Sequence, residues 1–243
     1  MAGARRGSRQ PVTPIVLVHG GGLDHRCWDL LVPHLAGPAL AVDLPGRGRH
    51  PADLRAVTFA DCAASVLADV DAAGFDELVL VGHSLAGASM PTIIGRLGER
   101  VRHAVFIACT VPDDGTSCLD TLDPEVLELV RANGDIEPRV MDEAVAKLVL
   151  GEDLDEAQFA WCVERLVAEA PRLTTDAVDL TPLRSSMPRT WIRTLQDAIV
   201  SAEKQLRFAN NVGHCKLVDL DAGHMCMVSQ PETVAAVLDD LAR

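Results

Sequence analysis

Ser84 stands in the stretch Val81-Gly82-His83-Ser84-Leu85-Ala86-Gly87, directly after the apolar run Leu78-Val79-Leu80-Val81. A serine hydroxyl is a weak nucleophile, so it acts only with a neighbouring base and with its oxygen held exposed. A strand that turns sharply into a helix supplies that exposure at its apex, and the turn closes only with small residues two before and two after the serine. Gly82 and Ala86 meet this demand, although a strict GxSxG pattern would have glycine at 86. The plain alternative is a serine that merely caps a helix, but an apolar strand in front and a helix-compatible run behind favour a nucleophile. The chemistry predicted is acyl transfer.

Acyl transfer builds negative charge on a carbonyl oxygen, and backbone N–H groups fixed in advance are its usual stabilisers. Leu85 N–H, at the positive end of the following helix, is one candidate. The other is Gly21, in His19-Gly20-Gly21-Gly22 after the first apolar strand, with Gly20 beside it as a substrate contact. A phosphate loop would want GxxxxGK[ST], and no lysine is present here. His19 reads as a hydrogen-bonding turn residue.

Eight histidines compete for the base. At a nucleophile turn of this type the partners follow in the order serine, acid, histidine, which leaves His214 and His224. His214 opens a strand and reads as a surface residue, whereas His224 lies in Asp221-Ala222-Gly223-His224, a loop just past a strand, and is the predicted base. Asp197, which ends Thr190-Trp191-Ile192-Arg193-Thr194-Leu195-Gln196-Asp197, is the predicted orienter of its imidazole. Asp219 and Asp221 sit close enough to His224 in sequence to shape its turn, Asp176 and Asp179 read as solvated carboxylates, and Asp43 precedes Ser84 and suits a structural turn. Met225 and Met227 are predicted substrate contacts, since flexible thioethers suit an adaptable apolar pocket.

Elements must deliver these groups to one place. Short β-branched runs alternate with helix-like stretches, which predicts βαβ units and a mostly parallel sheet flanked by helices. The strands expected are Ile15–His19, Leu40–Asp43, Leu78–Gly82, Ala104–Cys109, 190–193 and 216–219. Helices are expected at Trp28–Leu35, Phe59–Ala73, Leu85–Leu97, Ser201–Asn210 and Pro231–Leu241. From Val111 to about Met187 no strand emerges; helix-like blocks at Pro124–Ala132, Arg139–Leu150 and Asp155–Ala170 are separated by Asn133-Gly134, Gly151 and Pro171. The expectation is a core of residues 1–110 and 188–243 with a helical cap at 111–187, inserted after the strand ending near Cys109. Phe159, Trp161, Leu166, Met141 and Leu148 are cap side chains that line a pocket or, by their helical spacing, face the core.

These residues resemble the α/β-hydrolase superfamily across nearly the whole chain. The resemblance rests on His19-Gly20 with Trp28 behind it, Asp43-Leu44-Pro45-Gly46-Arg47-Gly48, Gly82-His83-Ser84-Leu85-Ala86-Gly87, Asp197 and Gly223-His224 in family order. The glycine run at 20–22 resembles the HG and HGGG turns of esterases and lipases. The C-terminal part through Met225-Cys226-Met227-Val228-Ser229-Gln230-Pro231 looks like the plant methylesterase and hydroxynitrile-lyase branch and its bacterial esterase relatives, which implies a small helical cap and an apolar acyl or alcohol pocket. Hydroxynitrile lyases of that branch carry lysine after the catalytic histidine; Met225 stands there, which favours ester hydrolysis. Epoxide hydrolases of this fold use an aspartate nucleophile and cap tyrosines, and this chain has no tyrosine. The gap from His19 to Trp28 is longer than that branch leads one to expect, so the likeness fixes no substrate. The reading is a metal-free, cofactor-free serine esterase acting through an acyl-enzyme on a small or medium apolar ester. The alternatives are a thioesterase or other acyl hydrolase of a biosynthetic pathway, and a ligand-binding or non-hydrolytic protein that keeps the fold.

Composition bounds the partners. The 243 residues carry 22 lysines and arginines against 35 acidic residues, a net charge of -13, which repels a nucleic-acid backbone and an anionic membrane. Met1–Gln10 reads as a frayed basic tail with no apolar run of signal-peptide length behind it, and no segment approaches a bilayer span; a cytoplasmic protein is expected. Seven cysteines form no CxxC pair and an odd number cannot all pair internally, so buried reduced thiols are expected, with Cys118 and Cys226 reactive only if exposed. The sequence leaves the oligomeric state open.

Overall fold

The computed structural model describes residues 12–132, 136–151 and 153–243. The tail at Met1–Gln10 and the Asn133-Gly134 turn lie outside the described residues. Strands β1 (Ile15–Val18), β2 (Ala39–Val42), β3 (Leu78–His83), β4 (Val101–Ile107), β5 (Arg189–Thr194) and β6 (Lys216–Leu220) form a sheet in the order β2-β1-β3-β4-β5-β6, parallel at every pairing. The chain leaves β1 to one side for β2 and to the other for β3. That reversal opens a crevice at the strands' C-terminal ends, where open parallel sheets take ligands.

Strand side chains alternate between two apolar layers, as the two-residue period of a sheet buried on both faces requires. Val16, Val18, Leu80, Phe106 and Trp191 pack with helices α1 (Phe59–Ala73), α2 (Ala86–Leu97) and α7 (Ala202–Val212). Ile15, Leu17, Val81, Ile107 and Ile192 pack on the opposite face with Trp28, the short helix α8 (Cys226–Ser229) and α9 (Pro231–Leu241). Phe106 and Trp191 stack at 5.8 Å between ring centroids across β4 and β5. Helix α1 starts on a capping box, Thr58 with Asp61, and stops at Gly74 with φ +67.

Between β4 and β5 the described residues hold helices α3 (Pro124–Ala132), α4 (Glu143–Leu150), α5 (Glu156–Val163) and α6 (Arg172–Thr175) and no strand. Three predicted helices are corrected. Trp28–Leu35 is two 3-10 turns, His25–Trp28 and Val32–His34, because Pro33 has no N–H to carry an α-helical ladder. Helix α4 begins only at Glu143, where Asp142 accepts from Ala144 N–H. Helix α5 ends at Val163 rather than Ala170, since the following segment instead bonds the glycine turn, Val167 N–H to Gly22 O at 2.8 Å. Among the described residues no helix is long and apolar enough to cross a membrane.

Candidate active site

Strand β3 ends in a turn that holds Ser84 at φ +52, a left-handed conformation that a residue with a Cβ adopts only when its surroundings impose it. Those surroundings press side-chain and backbone atoms closely onto glycine. A Cβ on Gly82 would come within 2.8 Å of Met90 Cγ, and one on Gly87 within 2.6 Å of Thr110 O. A Cβ on Gly20 would meet His83 Nδ1 at 2.8 Å and Ser84 Cβ at 2.9 Å. Ser84 N–H donates to Ile107 O at 3.0 Å, and Ser84 O accepts from Gly87 and Thr110, each at 3.0 Å. The turn is therefore fixed from β4 and from the glycine run together.

The serine so held meets the two partners named from sequence order. His224 Nε2 lies 2.8 Å from Ser84 Oγ, and His224 Nδ1 lies 2.7 Å from Asp197 Oδ2. Asp197 Oδ1 accepts Ile199 N–H at 2.9 Å and Val200 N–H at 2.8 Å, and Thr194 Oγ1 donates to Oδ2 at 2.9 Å. Burial pushes the Asp197 carboxyl up, but electrostatic attraction to His224, the hydrogen bond with it and these further donors outweigh burial and leave it below the usual carboxylate range. An ionised Asp197 holds the proton of His224 on Nδ1, so Nε2 faces Ser84 as an acceptor.

Two neighbours that sequence reasoning did not assign complete the positioning. His83 Nε2 donates to the carbonyl of His224 at 2.9 Å, which anchors the loop carrying that imidazole. Burial pulls His83 down to about 3, so it stays neutral. Gln205 of α7 takes Thr194 N–H on Oε1 at 3.1 Å and donates to Thr194 O at 2.9 Å and Val200 O at 2.8 Å, clasping the Asp197 turn at both ends. Nothing in their spacing marks these roles, since both depend on tertiary contacts.

Among the described residues neither Gly21 N–H nor Leu85 N–H finds an acceptor, whereas Gly22 N–H is taken by Glu169 Oε2 at 2.7 Å. Gly21, Ser84, Leu85, His224 and Met225 line one cavity of about 390 Å³. Its other walls are mostly apolar and include Leu23, Met141, Leu150, Leu166 and Ile199. Met227 does not line it: Met225 precedes α8, and two residues later the side chain turns into the core, fully buried. Gly20 does not line it either, because it backs the Ser84 turn. Of the inserted aromatics and aliphatics, Phe159 is buried in the core, Trp161 stacks under Arg165, and Leu148 is 75% exposed, so Met141 and Leu166 alone of those five face the cavity.

The remaining candidates serve the frame. His19 Nδ1 donates to Gly20 O at 2.9 Å and Nε2 accepts Leu44 N–H at 3.1 Å, while burial pulls it down to about 4. His214 is exposed. Asp219 pairs with Arg193, Asp221 accepts from Gln196, Asp176 pairs with Arg172, and Asp179 accepts Thr181 N–H. Asp24, His25 and Asp43 offer ligand atoms within 4.8 Å of one another, but Arg26 and Arg49 already neutralise the two carboxylates and His25 bonds Asp43 at 2.8 Å. Cys118 and Cys226 are buried, and burial pushes both thiols up, that of Cys118 to about 12.

The profile described as the alpha/beta hydrolase family matches residues 15–237. The chain is similar to "Probable esterase PIR7A" of Oryza sativa subsp. japonica, 31% identical over 212 residues, covering 85% of this chain and 77% of that protein. It is similar to "Polyneuridine aldehyde esterase" of Rauvolfia serpentina at 29% identity, covering 93% and 94%, and to "Lipase LipV" of Mycobacterium tuberculosis at 28%, covering 92% and 91%. Among solved structures, an extracellular alpha/beta-hydrolase from a Paenibacillus species superposes with a TM-score of 0.82 at 19% identity, covering 95% of this chain and 99% of that one.

Proposed function

This chain belongs to the alpha/beta hydrolase family, and on that premise we propose that it is a serine carboxylic-ester hydrolase working through an acyl-enzyme. The observation that carries the reading is the unbroken chain from Ser84 Oγ to His224 at 2.8 Å and from His224 to Asp197 at 2.7 Å, with the serine on a constrained turn. In this reading His224 Nε2 takes the proton as Ser84 Oγ attacks the ester carbonyl, and Gly21 and Leu85 N–H groups receive the oxyanion. His224 then returns the proton to the departing alkoxide. Water, deprotonated in turn by His224, attacks the acyl carbonyl, and as the acyl–Oγ bond breaks His224 returns that proton to Ser84 Oγ and the acid leaves.

The substrate class follows from the walls. A cavity of about 390 Å³ with mostly apolar lining suits a small or medium apolar ester. Residues 111–187 act in this reading as a cap that shapes one side of it, since Met141, Leu150 and Leu166 come from that segment. A thioesterase taking substrate from a phosphopantetheine arm would want a basic mouth; the charged residues lining the cavity are Glu137, Glu169 and Arg139, which favours the ester. Ser84→Ala is expected to abolish labelling by a fluorophosphonate probe and nearly all turnover of a short p-nitrophenyl ester. Labelling retained by that variant would overturn the assignment.

A further inference from the structure

The turn that carries Gly21 is gripped at both ends. Its start is tied down by His19 through Gly20 O and Leu44 N–H. Its far end is held from the inserted segment: Gly22, at φ +66, donates to Glu169 Oε2 at 2.7 Å and accepts Val167 N–H at 2.8 Å. The Glu169 carboxylate also presses on the residue between, since a Cβ at Gly21 would stand 3.2 Å from Oε2 and 3.0 Å from Leu85 Cδ2. Glu169 thus packs against Gly21, one of the two residues at the site whose N–H has no acceptor among the described residues.

A carboxylate in that place carries an electrostatic cost, because an anion beside a developing oxyanion raises the barrier it should lower. Arg47 answers it. Its guanidinium, with the side chain 1% exposed, is ion-paired through Nη2 to Glu169 Oε1, and Nη1 donates to Pro45 O at 3.2 Å. Burial pulls Arg47 down to about 10, which leaves it protonated at neutral pH. Glu169 Oε1 takes Ala170 N–H as well, at 2.6 Å, so the carboxylate is fixed at both oxygens.

We propose that Glu169 is a positioning residue for the oxyanion site: its carboxylate clamps the Gly21-Gly22 turn from the inserted segment, and Arg47 cancels the charge that this clamp brings near the reacting oxygen. The inference rests on the ester-hydrolase reading above. It makes the inserted segment part of the catalytic frame as well as a wall of the cavity.

The test compares Glu169→Leu with Glu169→Gln, and Arg47→Met with the double variant Arg47→Met/Glu169→Gln, on the full chain. Turnover of p-nitrophenyl butyrate is expressed per fluorophosphonate-titrated site, so that misfolded protein does not count. Glu169→Leu, which has no acceptor for Gly22 N–H, is expected to lose about 100-fold in kcat with KM within about threefold, and Glu169→Gln to recover to within about fivefold of wild type. Arg47→Met, leaving the carboxylate uncompensated, should lose about 30-fold, and the double variant should regain most of it. Affinity for an alkyl trifluoromethyl ketone, which reproduces the tetrahedral oxyanion, should fall in step with kcat. The proposal is overturned if Glu169→Leu keeps kcat per site within about threefold, or if glutamine is no better than leucine. Should Glu169→Leu not fold, the proposal stands or falls on whether the double variant recovers what Arg47→Met loses. A wild-type protein that neither labels nor turns over would instead remove the hydrolase reading, and the clamp with it.

Discussion

The turn around Ser84 and the inserted segment at 111–187 are held by different physics. At the turn, backbone meets backbone: Ser84, Gly87 and Thr110 are locked in one set of hydrogen bonds, and added Cβ atoms at 20, 82 or 87 would fall within 2.9 Å of existing atoms. The inserted segment is built of short helices, α6 being only four residues long, and leaves Val140, Val145 and Leu148 exposed. Positions in the first region are fixed by these contacts, as well-placed reacting groups require. Positions in the second rest on fewer such constraints, and surface segments of that kind are where one fold can carry different binding sites. Glu169 is one of the points at which the two regions meet, beside Val167 on Gly22 and Val111 against Gly87.

The sharpest way to break this contrast is Asp197→Asn, which keeps the shape of the proposed orienter and removes its charge. The amide donates to Nδ1, puts the His224 proton on Nε2 and leaves Ser84 without a base. By analogy with triads in which this change has been made, kcat is expected to fall by about 10⁴ with the fold intact by circular dichroism. A loss under tenfold would mean that Asp197 does not orient His224.

Acid should undo the frame before it undoes the inserted segment. His19 and His83 titrate near 6.5 in an unfolded chain, but in the fold burial holds them down to about 4 and about 3. Between those limits the unfolded state binds more protons, so stability is complete above about pH 6.5 and falls as pH drops toward 4 and 3. By pH 5 each histidine should cost on the order of 2 kcal/mol. Asp43 and Asp197, whose carboxyls are lowered, begin to lose their contributions only as pH falls through the ordinary carboxylate range near 3.8, and so do not enter the interval between pH 7.5 and pH 5. Residues 111–187 contain no histidine, so the loss belongs to the core. Urea midpoints at pH 7.5 and pH 5 measure it, and equal midpoints would show that these two rings accept protons within the fold.

Gly20→Ala probes the frame by sterics alone. The added methyl would stand 2.8 Å from His83 Nδ1 and 2.9 Å from Ser84 Cβ, and neither neighbour is free to retreat: His83 is bonded to His224 O, and Ser84 is bonded through its backbone to β4. The turn must shift, and with Ser84 as the proposed nucleophile a displacement near 1 Å is expected to cost about 100-fold in kcat. Unchanged kcat in a folded variant would show that the turn has more freedom than its contacts imply.

What could be read from the chain without coordinates follows the same division. Ser84 stood out by its small-residue turn behind the apolar run 78–81, Asp197 and His224 by their order after it and their places just past a strand, and α1 and α9 match their expected spans, Phe59–Ala73 and Pro231–Leu241, because caps and prolines mark their ends. Leu148 and Met227 were indistinguishable from cavity residues by type and spacing, since only the helix's docking decides which face looks inward. Glu169 carried no local mark at all. Its partners, Gly22 and Arg47, lie 147 and 122 positions away along the chain, and no periodicity spans such distances.

The smallest expected effects lie in the inserted segment and test where the cavity ends. Met141 lines it, so Met141→Ala should alter kcat/KM for p-nitrophenyl esters by about three- to tenfold, chiefly through KM, with the preferred acyl length shifted upward. Leu148, 75% exposed and outside the lining, should behave differently. Leu148→Ser should leave kcat, KM and chain-length preference as they are and change stability by no more than about 0.5 kcal/mol. A chain-length profile across acetate, butyrate, hexanoate and octanoate esters separates the two variants. A shift in that profile for Leu148→Ser as large as that for Met141→Ala would mean that the outer face of α4 also touches substrate, and that the inserted segment closes over the site during turnover.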